Sequence, residues 1–345
     1  MLSAEQLREV DILDWADLAK EFQGANLLLG NGFSIRIADS FKYDSIFDKF
    51  LNNCSSDYRS VFKNFETSNF ESILQKLLDA EFVNDIFEID EPRIREAINQ
   101  IQNGLITTIR EIHPTAEQIY WNRLQVIAKQ FRIFSNIFTL NYDLFLYHIV
   151  MILKDAWEEN EKLKGKIQYK KLWRYSDCFW KLYDNDFHTF HYYQDPNNWK
   201  FVYYLHGALF LFKESLDDLK LLRKDDGSEL ISRVADIINK GRMPLFVCEG
   251  TSERKMEQIN SSNYLKFAYK KLKSSGDKFV VFGSSLSAQD HHIFTELDDN
   301  RNSLAISMHP VTKTRDELLK IQDQVRKSFT NASICFFNSD TLFKV

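Results

Sequence analysis

Four short segments place reactive or ligand-binding groups directly after apolar runs. The first, Leu29-Gly30-Asn31-Gly32-Phe33-Ser34, is a Gly-x-Gly turn. Such a turn lets backbone approach a pyrophosphate, whose charge suits the N-terminus of the following helix. The same turn also joins a strand to a helix with no ligand at all. A dinucleotide fingerprint needs a third glycine where Ile35 stands, and an acidic strand end about 20 positions later. Neither is present, so an ordinary nicotinamide dehydrogenase is disfavoured. The second segment is Phe138-Thr139-Leu140-Asn141-Tyr142-Asp143. An amide and a carboxylate two residues apart suit ribose hydroxyls, a nicotinamide or a water; equally, Asn141 can turn the chain and Asp143 cap the next helix.

In the third segment, Tyr204-Leu205-His206-Gly207, a histidine leaves a strand, exposed for proton transfer or held as a structural ring. The fourth runs from Val280 through Gly283-Ser284-Ser285-Leu286-Ser287 to Asp290. It offers phosphate or ribose a second dock, or else ends a strand with Ser287 as a cap. Arg36 either neutralises phosphate or pairs with a surface carboxylate, the commoner outcome. The Phe246–Ser252 segment, with Gly250, reads as wall or scaffold. His188 and His191, and the adjacent His291 and His292 at a helix start, are weaker candidates. Phe65-Glu66 and Phe70-Glu71 read as helix-face residues.

These segments need strands to hold them. Apolar runs at Asn26–Gly30, Ile133–Leu140, Phe201–Leu205, Leu245–Cys248, Phe279–Phe282, Leu304–Met308 and Ser333–Phe337 read as buried strands, with helical patterns between most of them. That alternation predicts an α/β fold: a doubly wound, mostly parallel, Rossmann-like sheet. Residues 4–22 carry helical periodicity. Residues 40–130 read as an inserted helical subdomain, and 156–200 as an insertion rich in lysine and aromatics, within one domain over 1–345.

Glycine and proline are scarce, 11 and 5 in 345 residues, against averages of ~7% and ~5%. Collagen-like and disordered readings are excluded. Five glycines follow apolar runs: Gly30, Gly32, Gly207, Gly250 and Gly283. The net charge of −5 argues against strong non-specific nucleic-acid binding. The four cysteines form no C-x-x-C pair, so no metal is expected, and a reducing cytoplasm is the expected compartment. No apolar stretch suits a membrane span.

Taken in order, GNGFS, TLNYD, LHG and FGSSLS resemble the four sirtuin motifs: Gly-Ala-Gly-x-Ser, Thr-Gln-Asn-x-Asp, His-Gly and Gly-Thr-Ser. The resemblance spans about residues 26 to 310 and is greatest to the bacterial sirtuin-like branch of antiphage defence. It implies a sirtuin-like fold and a pocket for NAD as substrate. Gly30, Asn31, Gly32, Phe33 and Ser34 would line the pyrophosphate. Thr139 would stand with Asn141 and Asp143 at the nicotinamide ribose. His206 would be the general base, with Gly283, Ser284, Ser285 and Asp290 at phosphate or adenosine ribose. Leu140 and Asn31 depart from the pattern, and neither the four-cysteine zinc module nor the Gly-Ile-Pro-Asp-Phe-Arg segment is present. These departures argue against peptide deacylation. The resemblance thus implies a NAD glycohydrolase acting as a defence effector, oligomeric or paired with an ATPase or nucleic-acid-sensing protein. The alternatives are a sensing or scaffold module without turnover, or ADP-ribosyl transfer or deacylation.

Overall fold

The computed structural model describes residues 2–344, apart from 54–55, 68–69, 115–120, 167, 169–171, 192–198, 225–228, 241, 243, 248–250, 300–301 and 312. Runs that are apolar at every position become strands covered on both faces. The first strands along the chain are β1 (Ile12–Leu13), β2 (Asn26–Leu29), β3 (Ile137–Thr139) and β4 (Arg174–Ser176). They are followed by β5 (Phe179–Leu182), β6 (Phe187–Phe190), β7 (Trp199–Tyr204), β8 (Gly207–Glu214), β9 (Asp217–Leu221) and β10 (Pro244–Phe246). Three more complete the set: β11 (Lys278–Phe282), β12 (Ser303–Met308) and β13 (Ser333–Asn338).

Eight of these form one sheet in the order β1-β13-β12-β11-β2-β3-β7-β4, and every neighbouring pair is parallel. Helices such as Asn31–Ile37, Phe145–Glu161, His291–Leu297 and Arg315–Ser328 connect the strands, the Rossmann-like α/β arrangement. Leu28 of β2 pairs in register with Val281 on one side and Phe138 on the other. From β2 the chain builds outwards through β3 and β7 in one direction. It then returns to lay β11, β12 and β13 in the other. The sheet therefore reverses its winding between β2 and β11, and open α/β sheets bind ligands at the carboxyl ends of such a reversal.

Between β2 and β3 lie the helices Tyr43–Asn53, Ser56–Asn64, Phe70–Ile86, Pro92–Ile112 and Trp121–Phe131. Pro92 opens its helix, and the Glu91 carboxylate accepts from the Arg93 amide at 3.1 Å. Phe65 and Glu66 lie in the turn after Ser56–Asn64 rather than on a helix face.

Three other expectations change. Residues 4–22 are two short helices, Ala4–Arg8 and Trp15–Leu18, because Asp11 turns at a φ of 55° and β1 then pairs with β13 at the sheet edge. Second, a five-stranded antiparallel sheet, ordered β10-β8-β9-β6-β5, occupies much of 179–246. Third, the strand expected at Leu245–Cys248 belongs to that second sheet as β10, antiparallel to β8. Its Cys248, like Gly250 and Cys54, lies outside the described residues. Among the described residues no helix is long and apolar enough to cross a membrane.

Candidate functional site

The reversal point is built by two turns pressed together. Leaving β2, the Gly30 amide donates to Phe282 O at 2.9 Å, and the Gly32 amide to Gly283 O at 2.7 Å. A Cβ on Gly32 would sit 2.6 Å from Gly283 Cα, and one on Gly283 would sit 2.6 Å from Phe33 N. Gly283 also has a φ of +70°. The glycines are thus required first by the contact between turns. The Gly30 and Gly32 amides are spent on it, and the Phe33 amide on Gly30 O at 2.9 Å.

Beside these turns lies a cavity of about 940 Å³, at the upper end of the ~300–1,000 Å³ common for small-molecule sites. Of the residues expected at a site, Gly30, Asn31, Gly32, Asn141, Asp143 and His206 line it, and so do Gly283, Ser284, Ser285 and Asp290. The structure thus gathers all four segments around one space. Phe33, Ser34 and Thr139 are instead buried away from it. Phe33 packs edge-on or tilted against Phe131, Phe282 and Phe343.

Ser34 and Thr139 hold the lining residues in place. The Thr139 hydroxyl accepts from the Asn141 amide at 3.0 Å. The Asn141 side-chain NH2 donates to Gly30 O at 3.0 Å and to Ser34 Oγ at 2.9 Å. The Ser34 hydroxyl in turn donates to Asp143, whose other oxygen accepts from the Phe145 amide at 2.8 Å. Asp143, one residue before the N-cap Leu144, satisfies the first amide of the helix Phe145–Glu161 and also anchors Ser34. Burial raises the Asp143 carboxyl, partly offset by its hydrogen bonds from Ser34 and the backbone. With both hydrogens of its amide committed, Asn141 offers a ligand its carbonyl oxygen, an acceptor.

His113, unremarked in the sequence, completes this corner. It ends the helix Pro92–Ile112, and its Nε2 accepts from the Leu144 amide at 3.2 Å. Its Nδ1 faces Pro114 O at 3.0 Å, so the proton sits there and the ring is neutral. Burial lowers its pKa to about 3.

His206 lies in the two-residue turn between β7 and β8 and is 2% exposed. Its Nε2 is 3.2 Å from Nε2 of His292, and the rings stack 5.4 Å apart. One ring must donate and its neighbour accept, so the two cannot both be protonated. His292 Nδ1 is 3.1 Å from Ser252 Oγ, which accepts from the His292 amide at 2.8 Å. Asp290 Oδ1 lies 3.9 Å from His206 Nε2 and accepts from the fully buried Lys255 ammonium at 2.9 Å. Burial takes the His206 pKa to about 3, with Lys255 and His292 lowering it further against Asp290. His292 falls to about 4 for the same leading reason. Burial alone would raise the Asp290 carboxyl, but His206, Lys255 and His292 together hold it below its ordinary value. Lys255 escaped sequence reading, and His292 stood only as a weaker candidate, because they join His206 only through tertiary contacts. An adjacent histidine pair at a helix start was the available signal.

Arg36 takes the commoner of its two expected roles, bonding Asp340 at 2.8 Å. Yet it still lines the cavity, as does Arg123. The Nε atoms of both are buried without a partner. The two guanidinium groups nonetheless bring positive charge to the cavity wall, which suits a ligand that carries anionic acceptors. Among the described residues, no cluster of three or more histidine, cysteine or carboxylate side chains is arranged to hold a metal.

Residues 27–343 match the family described as Domain of unknown function (DUF4917). No curated protein matches the chain. Among solved structures, one described as "Structural Basis for the Mechanism and Regulation of Sir2 Enzymes" is similar at 12% identity and a TM-score of 0.35, over 98% of this chain and 94% of that one.

Proposed function

We propose that this chain, which belongs to the family described as Domain of unknown function (DUF4917), binds NAD in the cavity at the β2–β11 reversal and hydrolyses it to nicotinamide and ADP-ribose. One observation carries the reading. Four sirtuin-like segments, spread from Gly30 to Asp290, converge on a single cavity at the strand ends of a parallel sheet. The resemblance of those segments supplies the ligand.

In this reading the nicotinamide–ribose bond breaks and a water oxygen bonds the ribose carbon. Nicotinamide leaves neutral, and the proton lost by water passes to the His206–His292 pair. Both rings are neutral before the reaction, and the proton arrives against the low basicity that burial gives them, so a nearby negative charge is needed. The Asn141 carbonyl accepts a hydrogen bond from water or a ribose hydroxyl and orients it. Asp290 stands 3.9 Å from the His206 nitrogen and stabilises the ring once it is charged. The role as a defence effector, an oligomeric or partnered assembly and a cytoplasmic location belong to the same proposal and rest on the resemblance.

The test is to incubate the purified protein, alone and with its activating partners, with NAD and to follow nicotinamide by chromatography. Release that is abolished by His206→Ala and by Asn141→Ala upholds the proposal. No release in any state refutes hydrolysis. A second reading, a sensing module without turnover, is favoured by the depth of His206 and by the spent amides of the glycine turn. Tight NAD binding by calorimetry with no nicotinamide in any state selects it.

A further inference from the structure

The charges around the cavity do not cancel. Four carboxylates line it: Asp39, Asp143, Asp290 and Asp340. Asp39 pairs with Lys42 at 2.9 Å, Asp340 with Arg36 at 2.8 Å, and Asp290 with Lys255 at 2.9 Å. Asp143 is met by the Ser34 hydroxyl and the Phe145 amide. Two further cations line the same space, Arg123 and Lys313, and neither has an ion pair among the described residues. Arg123 donates once, from Nη1 to Ile37 O at 3.2 Å, while its buried Nε has no partner. It comes from Trp121–Phe131, the last helix of the 40–130 block. Lys313 comes from the loop after β12.

We propose that Arg123 and Lys313 hold the pyrophosphate of the dinucleotide, a role the glycine turn does not fill. The inference rests on the NAD reading. A dinucleotide brings two phosphate charges to a cavity in which Arg123 and Lys313 meet no carboxylate among the described residues. The turn amides at Gly30, Gly32 and Phe33 are already bonded within the protein and cannot cradle phosphate. A guanidinium presents several donors in a fixed fork and an ammonium three more, the chemistry that phosphate oxygens accept. The inserted helical block thereby supplies half of the anion site, which makes it part of the binding machinery.

Calorimetric titration of NAD and, separately, of inorganic pyrophosphate into the full chain tests this, using Arg123→Ala, Lys313→Ala and the double variant. Loss of a charged hydrogen bond predicts that each single variant binds NAD about ten- to hundredfold more weakly, with a shallower salt dependence. Pyrophosphate binding should fall in parallel, with melting temperatures close to that of the wild type. Should Arg123→Ala fail to fold, Lys313→Ala, altered on a loop, carries the test alone. Wild-type affinity for NAD in Lys313→Ala and in the double variant overturns the proposal. A wild-type chain that binds pyrophosphate but not NAD would sink the NAD reading and leave the anion site standing; one that binds neither sinks both.

Discussion

Replacing Gly283 by alanine should cost the protein about 3–4 kcal/mol, and two companion glycines separate the causes. At a φ of +70°, a left-handed backbone costs a residue with a Cβ about 1–2 kcal/mol. The new Cβ would stand 2.6 Å from Phe33 N and 2.7 Å from Gly32 C, against ~3.5–4.0 Å for a comfortable contact. Both neighbours are backbone, so the two turns must part by about 1 Å. That stretches the Gly32 and Gly30 amide bonds of 2.7 and 2.9 Å, each worth about 1 kcal/mol. Gly165→Ala carries a similar backbone conformation, φ +87°, with nothing within 4 Å, so it should cost only the first 1–2 kcal/mol. Gly30→Ala reverses the combination. Its φ of −109° suits any residue, but its Cβ would meet Ser284 Cα at 2.6 Å. Urea unfolding followed by tryptophan fluorescence ranks the three. Gly283→Ala should lose most and Gly165→Ala least. Equal losses in Gly283→Ala and Gly165→Ala would refute the argument, since the pressed turns would then contribute nothing.

Acid should unfold the protein early. His113 and His206 are neutral when folded, with pKa values near 3, whereas the unfolded chain takes up these protons below about 6.5. Their contribution is intact above pH 6.5 and falls by about 2 kcal/mol per ring at pH 5; His113→Gln should flatten the decline in a series of melts from pH 7 to 5. Lys255→Met strips Asp290 of its buried partner and should cost about 3–5 kcal/mol by urea titration. The same change removes a charge that lowers His206, so the acid limb of any NAD hydrolysis should move to higher pH; an unmoved limb would dissociate Lys255 from the histidine. His292→Ala should lower the rate of nicotinamide release while leaving NAD affinity close to normal, because it touches His206 and is not among the residues lining the cavity.

The parallel sheet was legible because most of its strands, β2, β3 and β11 above all, carry short and nearly continuous apolar runs. Phe279–Phe282 and Ser333–Phe337 each fell one residue short of β11 and β13. The second sheet was hidden for a local reason. The β8–β9 hairpin turns at Ser215 and Leu216, with Ser215 at φ 55° and Leu216 85% exposed, where Asn-Gly would have announced it. Within the site, the four segments could be read because each is contiguous. His113, Arg123 and Lys255 could not, and His292 only weakly, since nothing in the spacing ties them to strand ends far away in sequence. Ser34 shows a subtler limit: its type and position suggested ligand contact, whereas its hydroxyl is spent between Asn141 and Asp143.

The reversal between β2 and β11 also sets a timetable. β2 ends at Leu29, but the strand that must lie against it begins at Lys278, so about 250 residues separate the two halves of the crevice. At a synthesis rate of roughly 5–20 residues per second, that is an interval of about 12–50 s. Throughout it the growing chain carries its first two motifs with no partner turn, and Arg123 and His113 wait beside a wall not yet made. A chain interrupted before β11 therefore has no cavity, however well its earlier helices form. On the hydrolytic reading, the ribosome never carries a chain able to consume NAD until the last strands are being made.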